Sequence, residues 1–264
     1  MALSRGAATS SLRTIDLAEP LTWEFSGFSQ NGEDGVIDVL MRHIIQPNYY
    51  FIEIGASDGI ENNTSWLAIS RRFGGVFVEG NPIASQWCRY VFTPLNYGVE
   101  FVNMFVTQDN MTELRNLARY SNPDVFSLDI DGNDYYVAKA VLDAGFRPKI
   151  FIVEYNSAFG PTQSLTIPYK KDFQVVQSYK DNLYYGCSIA GWQKLLSPRG
   201  YKFVTVERNG VNAFFIDPTT FESSFVEAIR GKSFSENVSQ AREYKTDWHQ
   251  QFALIQDREF FNID

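Results

Sequence analysis

Cysteine and histidine are scarce in this sequence. Its 264 residues include two cysteines, Cys88 and Cys187, and two histidines, His43 and His249. Two distant cysteines exclude a disulfide framework, and neither has the closely spaced partner that a zinc site needs. Neither histidine has a neighbour suited to a catalytic dyad, so we expect both to be structural or exposed.

Long apolar runs are absent as well. No stretch approaches the roughly 20 residues that cross a bilayer as a helix. The first 20 residues also lack the apolar core of a signal peptide. These absences predict a cytoplasmic protein without a membrane partner, and they predict that residues 1–25 form a frayed tail.

Positive charge is in deficit, with 23 Lys and Arg residues against 31 Asp and Glu residues and a net charge of -8. This balance argues against non-specific binding to nucleic acid, so we expect no nucleic-acid partner. The hydrophobic fraction of 44% is high enough for a substantial core. The length is typical of one large domain.

Several familiar site motifs are missing. The chain has no P-loop and no Gly-x-Ser-x-Gly, so it is not typical of a P-loop nucleotide hydrolase or an α/β-hydrolase. It also lacks the Gly-x-Gly-x-x-Gly of dinucleotide-binding folds, which weakens assignment as an NAD-dependent oxidoreductase.

The most informative stretch that is present runs from Phe51 to Gly59. Its first half is apolar and β-branched, as in a strand buried on both faces, and its second half is a turn of small residues. The segment 61–67 then has residues that begin a helix. A strand, a glycine-containing turn and a helix in this order predict a nucleotide-type site at the carboxyl end of a parallel strand.

Strands and helices alternate along the next hundred residues. Further strands are predicted at 75–79, 99–106, 124–130 and 149–155, with helices between them. This alternation predicts a doubly wound, Rossmann-like, mostly parallel sheet. The Asn209-Gly210 pair between two strand-like runs predicts a closing antiparallel hairpin.

The predicted domain covers residues 26–219 and is followed by a helical extension at residues 220–264. Apolar residues recur at helical spacing in that extension. We expect it to pack on the domain or on a partner subunit, which would make a homo-oligomer.

Glu79 ends the second predicted strand, at about the spacing where an acid meets a ribose in related folds. One carboxylate can accept hydrogen bonds from both ribose hydroxyls. Thr107, Gln108 and Asp109 follow the third strand at the same edge. They are suited either to contact an adenine or to cap a helix.

Four polar residues follow the fourth and fifth strands: Asp129, Asp131, Glu154 and Asn156. If these strands are neighbours, the four side chains converge at one sheet edge. Such oxygen ligands suit Mg²⁺ or another hard divalent ion. They are equally suited to hold a hydroxyl or amine and accept its proton. A calcium loop is excluded because the required glycine and closing glutamate are missing.

Several of these segments resemble successive motifs of class I S-adenosylmethionine-dependent methyltransferases. The resemblance is carried by Phe51–Gly59, Gly75–Pro82 and Ser127–Gly132. Ser29–Asp34 and Val153–Asn156 resemble, more narrowly, the FkbM-type family. The resemblance implies a seven-stranded sheet with S-adenosylmethionine bound over its first two strands.

The resemblance also implies roles for individual residues. Gly55 and its turn would contact the methionine end of the cofactor, Glu79 would hold the ribose, and Asp129 would lie near the sulfonium. Gln30 and Asp34 would cover the cofactor. The full set of implied cofactor-binding residues is Gln30, Asp34, Glu53, Gly55, Ala56, Ser57, Asp58, Asn63, Glu79, Gly80, Asn81, Thr107 and Asp129.

The acceptor is expected to enter through the long segment 157–185. The substrate-binding candidates there and beside it are Tyr155, Tyr169, Lys170 and Tyr185, whose flat faces and positive charge suit a sugar or a phosphorylated small molecule. The catalytic candidates are Asp131, Glu154 and Asn156. The family usually has Asp-x-Glu-Gly after its fourth strand, and here the second acid is the shorter Asp131.

Three functions therefore remain open at this point. The first is methyl transfer to a hydroxyl or amine of a small molecule. The second is metal-dependent glycosyl transfer through Asp129-x-Asp131. The third is a non-catalytic partner protein that keeps the fold and the cofactor.

Overall fold

The computed structural model describes residues 2–175 and 178–264. Val176 and Gln177, within the expected acceptor segment 157–185, lie outside the described residues. The helices in the described part of the chain are α1 (Ala2–Ser11), α2 (Glu33–Arg42), α3 (Ser65–Ser70), α4 (Pro82–Phe92), α5 (Met111–Leu117), α6 (Asp134–Asp143), α7 (Ile189–Leu196), α8 (Ser223–Ala228), α9 (Val238–Tyr244) and α10 (Trp248–Ala253).

The strands form a seven-stranded sheet and a separate two-stranded sheet. They are β1 (Tyr50–Ile54), β2 (Gly74–Glu79), β3 (Val99–Asn103), β4 (Val125–Leu128), β5 (Ile150–Glu154), β6 (Leu165–Thr166), β7 (Lys202–Val206), β8 (Asn212–Ile216) and β9 (Phe261–Asn262). The large sheet has the order β3-β2-β1-β4-β5-β8-β7.

The first five strands of the large sheet are parallel, and β8 runs antiparallel to both β5 and β7. The prediction of a mostly parallel sheet closed by an antiparallel hairpin is therefore confirmed. The small sheet, in which β6 pairs with β9, was not predicted.

Helices cover both faces of the large sheet. Ile52 and Ile54 of β1 belong to a core shared with α5, α6 and α7, whereas Phe51 belongs to a core shared with α2, α3, α4 and α8. Alternating residues of a strand point to opposite faces, and both faces of β1 are covered, so its five residues are all buried. The fold is doubly wound.

The order of the strands creates a switch point. The chain moves outward from β1 to β2 and β3, then returns to place β4 on the other side of β1. Ligands of open α/β sheets bind outside the carboxyl ends of the strands at such a point. The turns after β1, β2 and β4 meet there.

The C-terminal extension packs on the domain. A third apolar core joins Phe159, Ile167 and Leu183 of the long segment to Tyr244 and Ile255 of the extension. The backbone N–H of Ile263 donates to the carbonyl of Ser164 at 2.9 Å. The extension therefore holds the segment that follows β5.

The N-terminal segment contacts the domain, although the sequence indicated a frayed tail. Trp23 is fully buried and stacks on Phe225, with 5.8 Å between ring centroids. Arg13 forms an ion pair with Asp38 at 3.0 Å. This packing could not be predicted, because one buried indole and one ion pair leave no periodic pattern of apolar residues in the sequence.

Replacing Trp23 with Ala is expected to lower the free energy of unfolding by about 3–5 kcal/mol, because it empties a fully buried site. Denaturant unfolding followed by circular dichroism measures this change. Leu17→Ala is the matched control, since Leu17 is 43% exposed, and it should change stability by less than about 0.5 kcal/mol. Equal stability of the two variants would contradict the packed arrangement.

Candidate active site

The turn after β1 requires glycine at position 55. Gly55 has a φ of 85°, and a Cβ there would collide with the carbonyl oxygen of Asp129. The backbone N–H groups of Gly55 and Ala56 donate to the carbonyl of Val78 at 2.9 and 3.2 Å. The turn is thus held between the ends of β2 and β4.

Glu79, the last residue of β2, presents its carboxylate beside this turn. Its two oxygens accept hydrogen bonds from the backbone N–H groups of Ser57 at 2.7 Å and Asn81 at 2.6 Å. Each oxygen retains a further lone pair. The carboxylate is therefore fixed by backbone donors and still able to accept from a ligand.

A cleft of about 930 Å³ lies over these turns. Of the residues expected from the sequence, nine line it: Gln30, Gly55, Ser57, Asp58, Glu79, Gly80, Asn81, Asp129 and Asp131. The structure thus brings most of the expected cofactor-binding residues together. The volume of the cleft lies in the range of about 300–1,000 Å³ that is usual for small-molecule sites.

Apolar residues at the rim of the cleft were not expected. Ile60, Ile83 and Phe105 line it and are 47%, 67% and 52% exposed. Phe105 follows β3 and lies against Gly80, where a Cβ would approach its ring to 3.0 Å. The placement of Phe105 could have been inferred from its position after a parallel strand.

The long segment after β5 also reaches the cleft through Phe173 and Gln174. Phe173 packs on Gly132, where any Cβ would press on its ring. No sequence pattern indicated these two contacts, because the path of a long loop is not encoded by periodicity.

Glu53 and Asn63 support the turn and do not line the main cleft. The carboxylate of Glu53 accepts from the backbone N–H groups of Asn63 and Thr64, both at 2.9 Å, and from the Thr64 hydroxyl. The amide of Asn63 donates to Ser127 at 3.0 Å. Both residues border a recess of about 60 Å³ that adjoins the cleft.

Asp34 holds a loop, and its carboxylate does not line the cleft. One oxygen accepts from the backbone N–H groups of Gly27 at 2.6 Å, Phe28 at 2.7 Å and Ser29 at 3.0 Å. This arrangement positions the neighbouring Gln30, whose amide donates to Glu61 at 3.1 Å. Asp34 thus supports the covering loop that Gln30 carries.

Ala56 and Thr107 are likewise outside the cleft lining. Ala56 is fully buried beneath the turn. The Thr107 hydroxyl accepts from the backbone N–H of Asp109 at 3.3 Å. Thr107 and Asp109 border a second groove of about 550 Å³ next to the cleft.

Three carboxyl groups converge beside the cleft, where Asp129 and Asp131 belong to its lining and the buried Glu154 does not. Asp129, Asp131 and Glu154 each place an oxygen within 4.8 Å of the others. The convergence follows from the parallel pairing of β4 with β5, in which Leu128 lies opposite Val153. The expected meeting of these three residues is confirmed. We call Asp129, Asp131 and Glu154 the carboxyl cluster.

Burial and mutual repulsion raise the pKa values in this cluster. Burial is the larger cause for Glu154, and the charges of Asp129 and Asp131 add to it, so its pKa lies well above the usual range. The same two causes, burial and then the charge of Asp131, raise the pKa of Asp129. A protonated carboxyl in such a cluster can hydrogen-bond to its neighbour.

The turn that carries Asp131 is held by a residue the sequence did not single out. Asp134 is fully buried, and its carboxylate accepts from the backbone N–H groups of Ile130 at 2.9 Å and Gly132 at 2.8 Å. Asp131 itself has a φ of 51°, a conformation that is uncommon for residues with a side chain. The turn thereby directs Asp131 to the cleft.

Asn156 and Tyr155 do not reach the cleft. The Asn156 amide donates to the carbonyls of Leu183 and Tyr185 at 2.8 and 3.0 Å, and its oxygen caps the turn that begins at Ser157. Tyr155 is 1% exposed, and its hydroxyl donates to the carbonyl of Ser235 at 2.7 Å. Both side chains are used internally because the chain bends after β5.

The other expected substrate residues are separated. Tyr169 packs edge-on against Tyr136, with 5.2 Å between ring centroids. Lys170 is exposed, and its backbone carbonyl accepts from the amide of Asn133 at 2.7 Å. Tyr185 is 6% exposed, and its hydroxyl lies close to Glu154. Tyr185 therefore adjoins the carboxyl cluster without lining the cleft.

The carboxyl cluster has the donor chemistry of a hard-cation site. Oxygens on opposite sides of an ion such as Ca²⁺ are separated by twice a metal–oxygen distance of about 2.3–2.6 Å. The three oxygens all lie within 4.8 Å of one another, which is compatible with that span. Asn156 was expected as a fourth ligand, but its side chain hydrogen-bonds to the backbone of Leu183, Tyr185 and Ala158 instead.

No family model and no curated protein matches the chain. Among solved structures, it is similar to an S-adenosylmethionine-dependent methyltransferase from Clostridium acetobutylicum, with 13% identity and a TM-score of 0.42 over 70% of this chain and 89% of that one. It is also similar to an O-methyltransferase from Bacillus cereus in complex with SAH, with 17% identity and a TM-score of 0.42 over 82% and 98%.

A third similar structure is the fibrillarin pre-rRNA processing protein of Methanococcus jannaschii. The identity is 14% and the TM-score is 0.40, over 63% of this chain and 65% of that one. Structural similarity at this level of identity and TM-score does not assign the chain to a family.

No helix in the described residues is long and apolar enough to span a membrane.

Gly55→Ala is expected to destabilise the protein more than Gly145→Ala does. Both glycines have φ near 85–88°, so both variants carry backbone strain of about 1–2 kcal/mol. A Cβ at position 145 meets nothing within 4 Å, whereas one at position 55 collides with Asp129. Thermal unfolding of the two variants compares them, and equal losses would contradict the close approach.

Glu53 is expected to make stability depend on pH. Burial raises its pKa to about 7 from an ordinary 4.5, so its contribution is complete below about pH 4.5 and is lost as the pH rises through 7. The unfolding free energy of the wild type, minus that of Glu53→Gln, should therefore fall over this interval by up to about 1.4 kcal/mol per pH unit. Denaturant unfolding at several pH values measures it, and a constant or rising difference would contradict the assignment.

Proposed function

We propose that this protein is an S-adenosylmethionine-dependent methyltransferase that acts on a small molecule. One observation carries the proposal. The glycine turn after β1 and the carboxylate of Glu79, the last residue of β2, face the same cleft at the switch point of the sheet. This arrangement suits a ligand that has a ribose and a further polar chain.

The cleft offers a distinct environment for each part of the cofactor. Glu79 has acceptor capacity for both ribose hydroxyls, and the apolar rim formed by Ile83 and Phe105 suits a flat base. The acidic side chains of Asp129 and Asp131 suit the positive charge of a sulfonium. The cofactor, when bound, supplies a methyl group that is already activated on that sulfonium.

The chain's own contribution is then to position the acceptor and manage its proton. An aligned acceptor about 3–3.5 Å from the methyl carbon gains much of the rate from orientation alone. Asp131 and Glu154 are our candidates for the proton acceptor, since both belong to the carboxyl cluster beyond the turn. The narrower FkbM-type assignment is supported by the Ser29–Asp34 loop, in which Gln30 borders the cleft.

Glu79→Ala is expected to weaken binding of S-adenosylhomocysteine by about 10- to 150-fold. This factor corresponds to about 1.5–3 kcal/mol for hydrogen bonds to a charged group. Isothermal titration calorimetry measures the affinity, and Glu79→Gln, which keeps one acceptor oxygen, should lose less. The control is Glu100→Ala, an exposed acid on β3.

Unchanged affinity in Glu79→Ala, or no binding of S-adenosylhomocysteine to the wild type, would contradict the proposed methyltransferase function.

Metal-dependent glycosyl transfer is the second candidate function, favoured by the three convergent oxygens of the carboxyl cluster. This function requires that uridine diphosphate bind only in the presence of Mn²⁺, which isothermal titration calorimetry with and without the ion measures.

A further inference from the structure

The cleft is strongly acidic. Five of its lining residues are carboxylic acids: Asp58, Glu61, Glu79, Asp129 and Asp131. Among the described residues that line it, none is a lysine, arginine or histidine. A single sulfonium would leave most of this negative charge unbalanced.

The adjoining recess has the same character. Glu33, Glu53 and Asp129 border it, again with no basic residue among the described residues of its lining. Asn212 also borders the recess and is 4% exposed, and its side-chain oxygen has no hydrogen-bond partner within the described part of the chain. A buried acceptor without a donor is costly, so the recess favours a ligand that donates hydrogen bonds.

A second unpartnered acceptor lies in the carboxyl cluster. Glu154 is 7% exposed, and its Oε2 has no donor among the described residues. Tyr185 lies close to Glu154, and the amide of Gln240 donates to the Tyr185 hydroxyl at 3.2 Å. Oxygens of Asp131 and Glu154 lie within 4.8 Å of each other, so a group bound at the cleft-lining Asp131 is within reach of Glu154.

We propose that the methyl acceptor is an amine, held as its ammonium ion by the carboxylates of Asp131 and Glu154. The proposal rests on the proposed methyltransferase function and names the substrate class of the same site. An ammonium carries the positive charge that the cleft lining lacks. It also has three N–H donors, one of which suits the unpartnered Glu154 oxygen.

A phosphorylated or carboxylated acceptor is disfavoured by the same geometry. Lys171, which borders the neighbouring groove, is already paired with Asp109 at 3.1 Å. Lys170 is exposed and does not line the cleft. An anion at the carboxyl cluster would meet three carboxyl groups and no described cation.

The chemical step balances without a further reagent. The ammonium gives one proton to the Asp131 carboxylate, which is exposed and can pass it to water. The nitrogen lone pair then forms a bond to the methyl carbon as the carbon–sulfur bond breaks, and that electron pair stays on sulfur. The products are an N-methylammonium ion, neutral S-adenosylhomocysteine and one released proton.

The test uses the full chain saturated with S-adenosylhomocysteine and matched probes. Glucosamine is compared with glucose and glucose 6-phosphate, and benzylamine with benzyl alcohol and benzoate. Affinities are measured by calorimetry. We expect at least one amine to bind at least about tenfold more tightly than its alcohol, and the anions not to bind.

The preference should disappear in Glu154→Gln and in Asp131→Asn, and it should persist in Glu100→Gln. Asp131 is exposed, so its variant keeps the test valid if the Glu154 variant does not fold. Equal binding of amines and alcohols, including no binding of either, overturns the proposal. Saturable Mg²⁺ binding that is lost in the same variants also overturns it, in favour of a metal site. Failure of S-adenosylhomocysteine itself to bind instead defeats the proposed function.

Discussion

The close approach of the Gly55 backbone to the carbonyl of Asp129 is the constraint on which the site depends. It is possible because residue 55 has no side chain and has a positive φ. The approach brings the ends of β1 and β4 together, while hydrogen bonds from Gly55 and Ala56 to Val78 add the end of β2. Three strand ends thus form one floor beneath the cleft.

Buried acids keep that floor in place. Glu53, Asp34 and Asp134 each accept backbone N–H groups of an adjoining loop or turn. Because every such bond involves the backbone, the loops carrying Gln30 and Asp131 are positioned by the fold itself. Glu53, Asp34 and Asp134 lie outside the cleft lining, whereas Glu79 both lines the cleft and accepts backbone N–H groups of Ser57 and Asn81.

The sequence predicted the sheet well because its strands are buried on both faces and read as apolar runs between turns. The convergence of Asp129, Asp131 and Glu154 was predictable once β4 and β5 were taken as neighbours. Asn156 was misplaced because the chain turns at Ser157 and redirects its amide inward. Periodicity carries no information on such a bend.

The residues contributed by long-range packing could not be predicted. Phe173 reaches the cleft by packing on Gly132, and Trp23 is buried through its contact with Phe225. The role of Asp34 was mistaken for a similar reason, since a carboxylate in a polar loop can face a ligand or its own backbone. Three backbone N–H groups donate to one oxygen of Asp34, so this carboxylate binds its own loop.

The central claim is that an adenosyl ligand lies across the ends of β1 and β2 with its ribose on Glu79. A crystal structure of the protein with S-adenosylhomocysteine tests this claim most directly. We predict both ribose hydroxyls within hydrogen-bonding distance of the Glu79 carboxylate and the sulfur facing the carboxyl cluster. A ligand bound elsewhere, or a saturated crystal with an empty cleft, would contradict the account.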